Sequence, residues 1–66
     1  MIQLIRTQRD VQGQMVRLWQ KGHYHFQVDC DGYKLEIYQP FEEAMLVFLD
    51  VVNGFPIEWI ENETIN

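Results

Sequence analysis

Two histidines separated by one residue, His23 and His25, have the spacing in this sequence that is closest to a metal site. Residues two apart on a β-strand point to the same face, so both imidazoles would project together, with Asp29 on the same side. A zinc site needs three or four protein ligands at fixed spacing, and no third ligand follows at such a spacing. We therefore predict no metal, and we expect the histidines to pack across a sheet against Arg17, Trp19 and Tyr38.

Cys30 is the only cysteine, so the chain forms no internal disulfide. Its position on the apolar side of a predicted strand indicates a small buried residue. A nucleophilic thiol needs a cation or a helix N-terminus beside it, and the sequence indicates neither.

Other catalytic signals are equally weak. The sequence contains no serine and no glycine-rich phosphate loop. Glu42 and Glu43 are adjacent acids at the start of a predicted helix, where they complement the helix dipole and do not converge on a cleft. A chain of 66 residues also leaves little room for an interior pocket of a few hundred Å³. We therefore predict that the protein is not an enzyme and takes no cofactor.

The charge of the chain is unevenly distributed. The net charge is -5, yet residues 1–28 carry four basic residues against Asp10, and residues 29–66 carry nine acidic residues against Lys34. Phosphate binding depends on lysine and arginine, so nucleic acid is an unlikely partner for so acidic a chain. No stretch approaches the ~20 apolar residues of a membrane span, and the first ten residues lack the apolar run of a signal peptide. We expect a small acidic protein of the cytoplasm that does not bind membranes.

The clearest structural signal is a β-hairpin. Residues 23–30 alternate strictly between apolar and polar side chains, which is typical of a half-buried strand. Asp31-Gly32 follows, a pair favoured in type I′ turns because both central residues need a positive φ. A two-residue loop sets the pairs of the apolar face, which are Cys30–Tyr33, Val28–Leu35 and Phe26–Ile37. The same register sets the pairs of the polar face, which are Asp29–Lys34, Gln27–Glu36 and His25–Tyr38.

Two earlier strands complete the predicted sheet. Residues 14–20 form a strand joined to the hairpin by a three-residue loop, Gln20-Lys21-Gly22, in which Gly22 is left-handed. This loop places Val16 and Leu18 on the face of Phe26 and Tyr24. Residues 2–7 form the first strand, which pairs back through a turn near Gly13 in a register that the sequence leaves open.

One amphipathic helix follows over residues 40–53. Pro40 suits a first helical turn because its missing N–H costs nothing there, and Asn53-Gly54 is a typical stop signal. Apolar residues at helical spacing form one stripe, consisting of Phe41, Ala44, Met45, Phe48, Leu49 and Val52. Val47 and Val51 widen this stripe beyond what one sheet face covers. Either the tail over residues 55–60 or a second molecule must cover them.

The sequence thus predicts one domain over residues 1–66, a two-layer α+β fold. It has an antiparallel meander of three or four strands, one amphipathic helix, and a short C-terminal strand or extended tail. Aromatic and arginine residues, which are enriched at protein interfaces, lie on the face opposite the helix. The candidate interaction residues on this face and on the helix edge and tail are Arg17, Trp19, His23, His25, Tyr38, Val47, Val51 and Trp59.

Three hypotheses for function follow. The first is a non-catalytic protein-interaction module, alone or as a homodimer. The second is a nucleic-acid-associated regulator with Trp19 as a stacking surface. Its basic residues would be Arg6, Arg9, Arg17 and Lys21. The third is an acidic inhibitor that occupies a basic site on a partner through the carboxylates of residues 42–63.

Overall fold

The computed structural model describes residues 1–57 and Ile60. Four strands, β1 (Gln3–Arg9), β2 (Met15–Gly22), β3 (His25–Cys30) and β4 (Tyr33–Ile37), precede the helix α1 (Phe41–Val52). The strands form an antiparallel meander in the order β1-β2-β3-β4, and α1 packs on β2 and β3. The predicted α+β architecture is confirmed. The predicted C-terminal strand includes Glu58 and Trp59, which lie outside the described residues.

The β3–β4 hairpin forms in the predicted register. Asp31 has a φ of +50° and Gly32 a φ of +85°, as the two central residues of a type I′ turn require. Five of the six predicted pairs are ladder partners, from Cys30–Tyr33 to Phe26–Ile37. The sixth pair, His25 and Tyr38, lies beyond the ladder, where the two rings stack with their centroids 4.5 Å apart.

The β1–β2 turn is organised by Asp10. Its Oδ1 accepts hydrogen bonds from the backbone N–H groups of Gln12 and Gln14, at 2.9 and 2.8 Å, and Gly13 has a φ of +85°. The turn near Gly13 is therefore confirmed. β1 contains an irregularity between Leu4 and Arg6, where an extra residue, Ile5, stands between successive ladder pairs.

The predicted β2–β3 loop is wrong. β2 continues to Gly22, which pairs with His25, and the turn falls at His23-Tyr24. Gly22 is not among the described residues with positive φ. Leu18 pairs with Val28 and not with Tyr24, which is 57% exposed at the turn. The observed register places Arg17 opposite Asp29, a favourable pair of opposite charges that the predicted loop would not form, and it keeps Gly22 in the strand.

The core lies between α1 and the inner face of the sheet. Of the predicted helical stripe, Ala44, Phe48 and Val52 are buried, whereas Phe41 is 42% exposed and packs its ring 6.0 Å from that of Phe26. Val51 is also buried, so the apolar arc that faces the sheet is rotated relative to the predicted one. The core residues from the sheet and tail are Val16, Leu18, Phe26, Val28, Cys30, Leu35, Ile37, Ile57 and Ile60.

The helix begins and ends as predicted. Pro40 is the N-cap residue, Glu42 and Glu43 occupy the first turn, and Asn53 is the C-cap. The carboxylates of the first turn complement the partial positive charge of the helix N-terminus. The backbone N–H of Val11 also donates to the carbonyl of Val52 at 3.1 Å, which joins the β1–β2 turn to the helix end.

Candidate functional site

The candidate site is the outer face of the sheet, the face turned away from α1. Strand alternation fixes its membership, because Val16, Leu18, Phe26 and Val28 all point inward to the core. Leu4 and Thr7 of β1 join it, since they pair with Trp19 and Arg17. The remaining members from β2 to the end of β4 are Met15, Arg17, Trp19, Lys21, His25, Gln27, Asp29, Lys34, Glu36 and Tyr38.

Asp29 organises one half of the outer face. Its Oδ2 accepts a hydrogen bond of 2.7 Å from the indole Nε1 of Trp19, and its Oδ1 lies 3.7 Å from Nη1 of Arg17. The side chain of Asp29 is only 18% exposed, whereas that of Arg17 is 49% exposed. Asp29 also pairs with Lys34 in the ladder, as predicted. Its carboxylate nevertheless bonds to β2, and this bond holds the Trp19 ring in one orientation.

Glu36 organises the other half. The Nζ of Lys21 lies 3.2 Å from both carboxylate oxygens, and Nε2 of His25 is 2.6 Å from Oε1. Burial raises the pKa of Glu36, but the hydrogen bonds from His25 and Lys21 lower it, and the net pKa lies below its ordinary value. Glu36 is therefore a carboxylate that both of its neighbours favour in the charged form.

The two histidines lie in different environments. His25 is on β3, half-buried, with its ring stacked on Tyr38 at an interplanar angle of 22°. His23 is in the turn, where its ring meets Tyr24 edge-on at 4.6 Å. The predicted packing of His25 against Tyr38 is confirmed, but strand alternation does not place His23 beside it. Among the described residues, no group of three or more His, Cys, Asp or Glu side chains is arranged to hold a metal ion.

The helix edge is less accessible than the sequence suggests. Val51 is 3% exposed and belongs to the same core as Ile57 and Ile60, so the tail contributes to that core. Val47 is half-buried, and Trp59 lies outside the described residues. The exposed apolar residues of α1 are Phe41, which is 42% exposed, and Leu46, which is 56% exposed. The accessible candidate residues thus lie mainly on the sheet.

One cleft was missed by sequence reasoning. It has a volume of about 220 Å³ and lies between the β1–β2 turn, the β3–β4 turn and the segment after α1. The Sγ of Cys30 reaches its wall, 3.8 Å from Oδ2 of Asp10 and from Oε1 of Gln14. Burial, together with the negative charge of Asp10, raises the pKa of the Cys30 thiol. The predicted burial of Cys30 is confirmed, and its raised pKa disfavours the nucleophilic thiolate.

The organising role of Asp29 and Glu36 was also missed. The sequence predicts directly opposed pairs, but Trp19 bonds to Asp29 diagonally on the neighbouring strand, and Lys21 reaches Glu36 across the intervening strand β3. Both contacts depend on the register between β2 and β3. The predicted register was wrong, so these contacts could not be predicted.

Comparison with known proteins identifies no relative. No protein-family model, no curated protein and no solved structure matches this chain. No helix within the described residues is long and apolar enough to cross a membrane. Any function must therefore be inferred from the chemistry of the surface.

Proposed function

We propose that this protein is a small non-catalytic interaction module that binds a partner protein through the outer face of its sheet. The observation that supports this proposal is the pair of aromatic side chains at fixed positions on that face. Trp19 is bonded to Asp29 at 2.7 Å, and Tyr38 stacks on His25, which is itself bonded to Glu36. Side chains that are already ordered lose less conformational entropy on binding.

The chemistry of the face resembles that of protein interfaces. Trp, Tyr, Arg and Met are enriched at interfaces, and Trp19, Tyr38, Arg17 and Met15 occur together here. Tyr38 is 68% exposed and Leu4 is 46% exposed, so apolar area is available for burial. The polar pairs around the aromatic residues would form the rim that excludes water.

The area of the face favours a transient complex over an obligate homodimer. Four strands about 4.8 Å apart and about 20 Å long give a footprint of roughly 400 Å². A stable interface typically buries about 800 Å² on each partner. Any complex through this face alone, with a second copy or with a different protein, is therefore expected to be weak and transient.

The nucleic-acid alternative ranks lower because its basic residues do not form one patch. Arg6 lies on the inner side, with its guanidinium carbon 6.0 Å from the centre of the Phe48 ring. Arg17 and Lys21 lie beside the carboxylates of Asp29 and Glu36, which would repel phosphates. The acidic-inhibitor alternative depends in part on the acidic residues of α1, which are Glu42, Glu43 and Asp50. The sequence of α1 contains no basic residue that could pair with them.

Site-specific photocrosslinking tests the proposal. A benzoylphenylalanine replaces Tyr38 in one version of the protein and Leu46, on the helix surface, in a matched control expressed in the same native cells. We expect a discrete crosslinked protein from position 38 and none from position 46. The Trp19→Ala substitution in the position-38 version should reduce the yield.

Two results would overturn the proposal. One is the absence of any adduct at position 38, and the other is the same adduct at both positions. Sedimentation over a wide concentration range separates self-association from binding to a different protein. A tight dimer that is unaffected by Tyr38→Ala would assign self-association to another surface.

A further inference from the structure

β1 forms one edge of the sheet. In the described part of the chain it pairs only with β2, and α1 packs on β2 and β3. Along β1 only Ile5 and Gln8 are half-buried, and the other residues are exposed. An edge strand presents a row of backbone N–H and C=O groups to which another strand can pair.

This edge is flanked by positive charge on both sides. β1 carries Arg6 and Arg9 and no acidic residue. Arg6 lies on the inner side, over Phe48, whereas Arg9 pairs with the outer-face residue Met15 and donates to the carbonyl of Gly13 at 2.8 Å. Arg17, opposite Thr7 on β2, is already paired with Asp29 at 3.7 Å and adds little to this charge.

The same arginines disfavour a second copy as the added strand. In an antiparallel β1–β1 pair, registers centred near the middle of the strand bring the arginines of both copies together, and like charges across strands are destabilising. The irregularity at Ile5 further interrupts self-pairing. An acidic strand would instead find a basic residue on each side of the edge.

The opposite edge of the sheet is less suitable. β4 has five residues against seven in β1 and carries both Lys34 and Glu36. Glu36 is already bonded to His25 and Lys21. Charge complementarity therefore distinguishes β1 from β4.

We infer that the outer edge of β1 binds an extended acidic segment of a partner protein by strand addition. Main-chain hydrogen bonds would supply affinity and the arginines would supply preference for acidic side chains. This site goes beyond the function proposed above, because it uses the backbone edge of β1, whereas the outer face binds through side chains centred on Trp19 and Tyr38. Either surface can therefore fail its test without the other.

A synthetic peptide of alternating glutamate and valine is the probe, titrated into isotope-labelled protein and followed by amide chemical shifts. We expect shifts centred on residues 3–9. Two further peptides carry methyl groups on alternate backbone nitrogens, one peptide on its glutamates and the other on its valines. Only one of these two sets of N–H groups faces β1 in an added strand. Methylation of that set should weaken binding at least about tenfold, and methylation of the other set should have little effect.

The glutamates of an alternating peptide all project to one face of the added strand, so one of the two substitutions Arg6→Gln and Arg9→Gln should weaken binding about two- to fivefold, as expected for an exposed ion pair. Lys34→Gln, on the opposite edge, is the matched control and should change nothing. A lysine–valine peptide should not bind.

Several results would overturn the inference. They are equal binding of both methylated peptides, shifts centred on β4 or the outer face, and tighter binding of single-stranded oligothymidine than of the peptide. Dimerisation that depends on β1 would overturn it as well, because it would make a second copy the occupant.

Discussion

Nε2 of His25 lies 2.6 Å from Oε1 of Glu36, across the β3–β4 hairpin. The ammonium group of Lys21, on β2, donates to the same carboxylate. The side chain of Glu36 therefore joins three strands on the outer face. This contact also supports Tyr38, whose ring stacks on that of His25. The charge of Glu36 therefore helps to hold the side chains of the surface that we propose for binding.

Glu36 should make stability depend on pH at the acidic end. Its pKa is lowered in the folded state, because the bonds from His25 and Lys21 outweigh the effect of burial. The stabilisation is present above the pKa of an unfolded glutamate, about 4.3, and is lost as the pH falls through the lower folded value. Glu36→Gln should flatten the decline in the free energy of unfolding below about pH 5, measured by urea titration. Asp50→Asn, which removes an exposed carboxylate far from the helix N-terminus, is the control. Identical slopes in wild type and Glu36→Gln would contradict the prediction.

Trp19→Phe should destabilise the fold by about 1–2 kcal/mol, because it removes the N–H donor to a carboxylate that is mostly buried. Urea denaturation followed by circular dichroism measures the loss. Tyr38→Phe removes a hydroxyl from an exposed ring and should change the free energy of unfolding by less than about 0.5 kcal/mol. Equal effects of the two substitutions would show that the indole bond contributes nothing.

Leu18→Ala and Leu46→Ala make the same chemical change at 0% and 56% exposure. The buried substitution should cost about 2–5 kcal/mol, from lost burial and the cavity left behind. That is a large part of the total expected for so short a chain, so Leu18→Ala should be partly unfolded at room temperature. Leu46→Ala should remain within about 0.5 kcal/mol of wild type. Thermal unfolding distinguishes these outcomes, and a small effect at Leu18 would contradict the core described above.

Gly32→Ala should cost about 1–2 kcal/mol, because an L-residue at a φ of +85° is strained even though no atom lies within 4 Å of the added carbon. Gly22→Ala is the matched control, since Gly22 has no positive φ and its added carbon would make an ordinary 3.6 Å contact with Cβ of His25. Chemical denaturation of both variants is the measurement. A larger loss at Gly22 would contradict the structure, because it would indicate that Gly22 has the left-handed conformation of the predicted loop.

Cys30 should react slowly with a disulfide reagent such as dithionitrobenzoate near neutral pH. Cys30 is 7% exposed, and burial and the charge of Asp10 raise the pKa of its thiol, so little thiolate is present. Asp10→Asn removes the charge but keeps an oxygen for the N–H groups of Gln12 and Gln14. It should speed the reaction without unfolding the protein, which circular dichroism verifies. A native rate equal to that in urea would contradict the burial of Cys30.

Local chemistry was sufficient to predict the β3–β4 hairpin and the bounds of the helix. Asp31-Gly32 dictates a two-residue turn, and the turn dictates which residues of the two strands are opposite, so no distant contact is needed. Pro40 and Asn53-Gly54 similarly limit the helix through their own backbone preferences. These signals act within a few residues, which is why sequence alone determined them.

Tertiary structure decided what depends on distant residues. The β2–β3 register pairs Arg17 with Asp29 and keeps Gly22 in the strand, where the local sequence favours a loop. That register then brings Trp19 to Asp29 and Lys21 to Glu36, and it creates the ordered outer face. Burial of Val51 with Ile57 and Ile60 likewise depends on how the chain after the helix packs. The sequence by itself determined the hairpin, the helix and the residue types available for binding, because local backbone preferences suffice for these. Only long-range packing decided which of those residues stand together, because their contacts join strands that are distant in the chain.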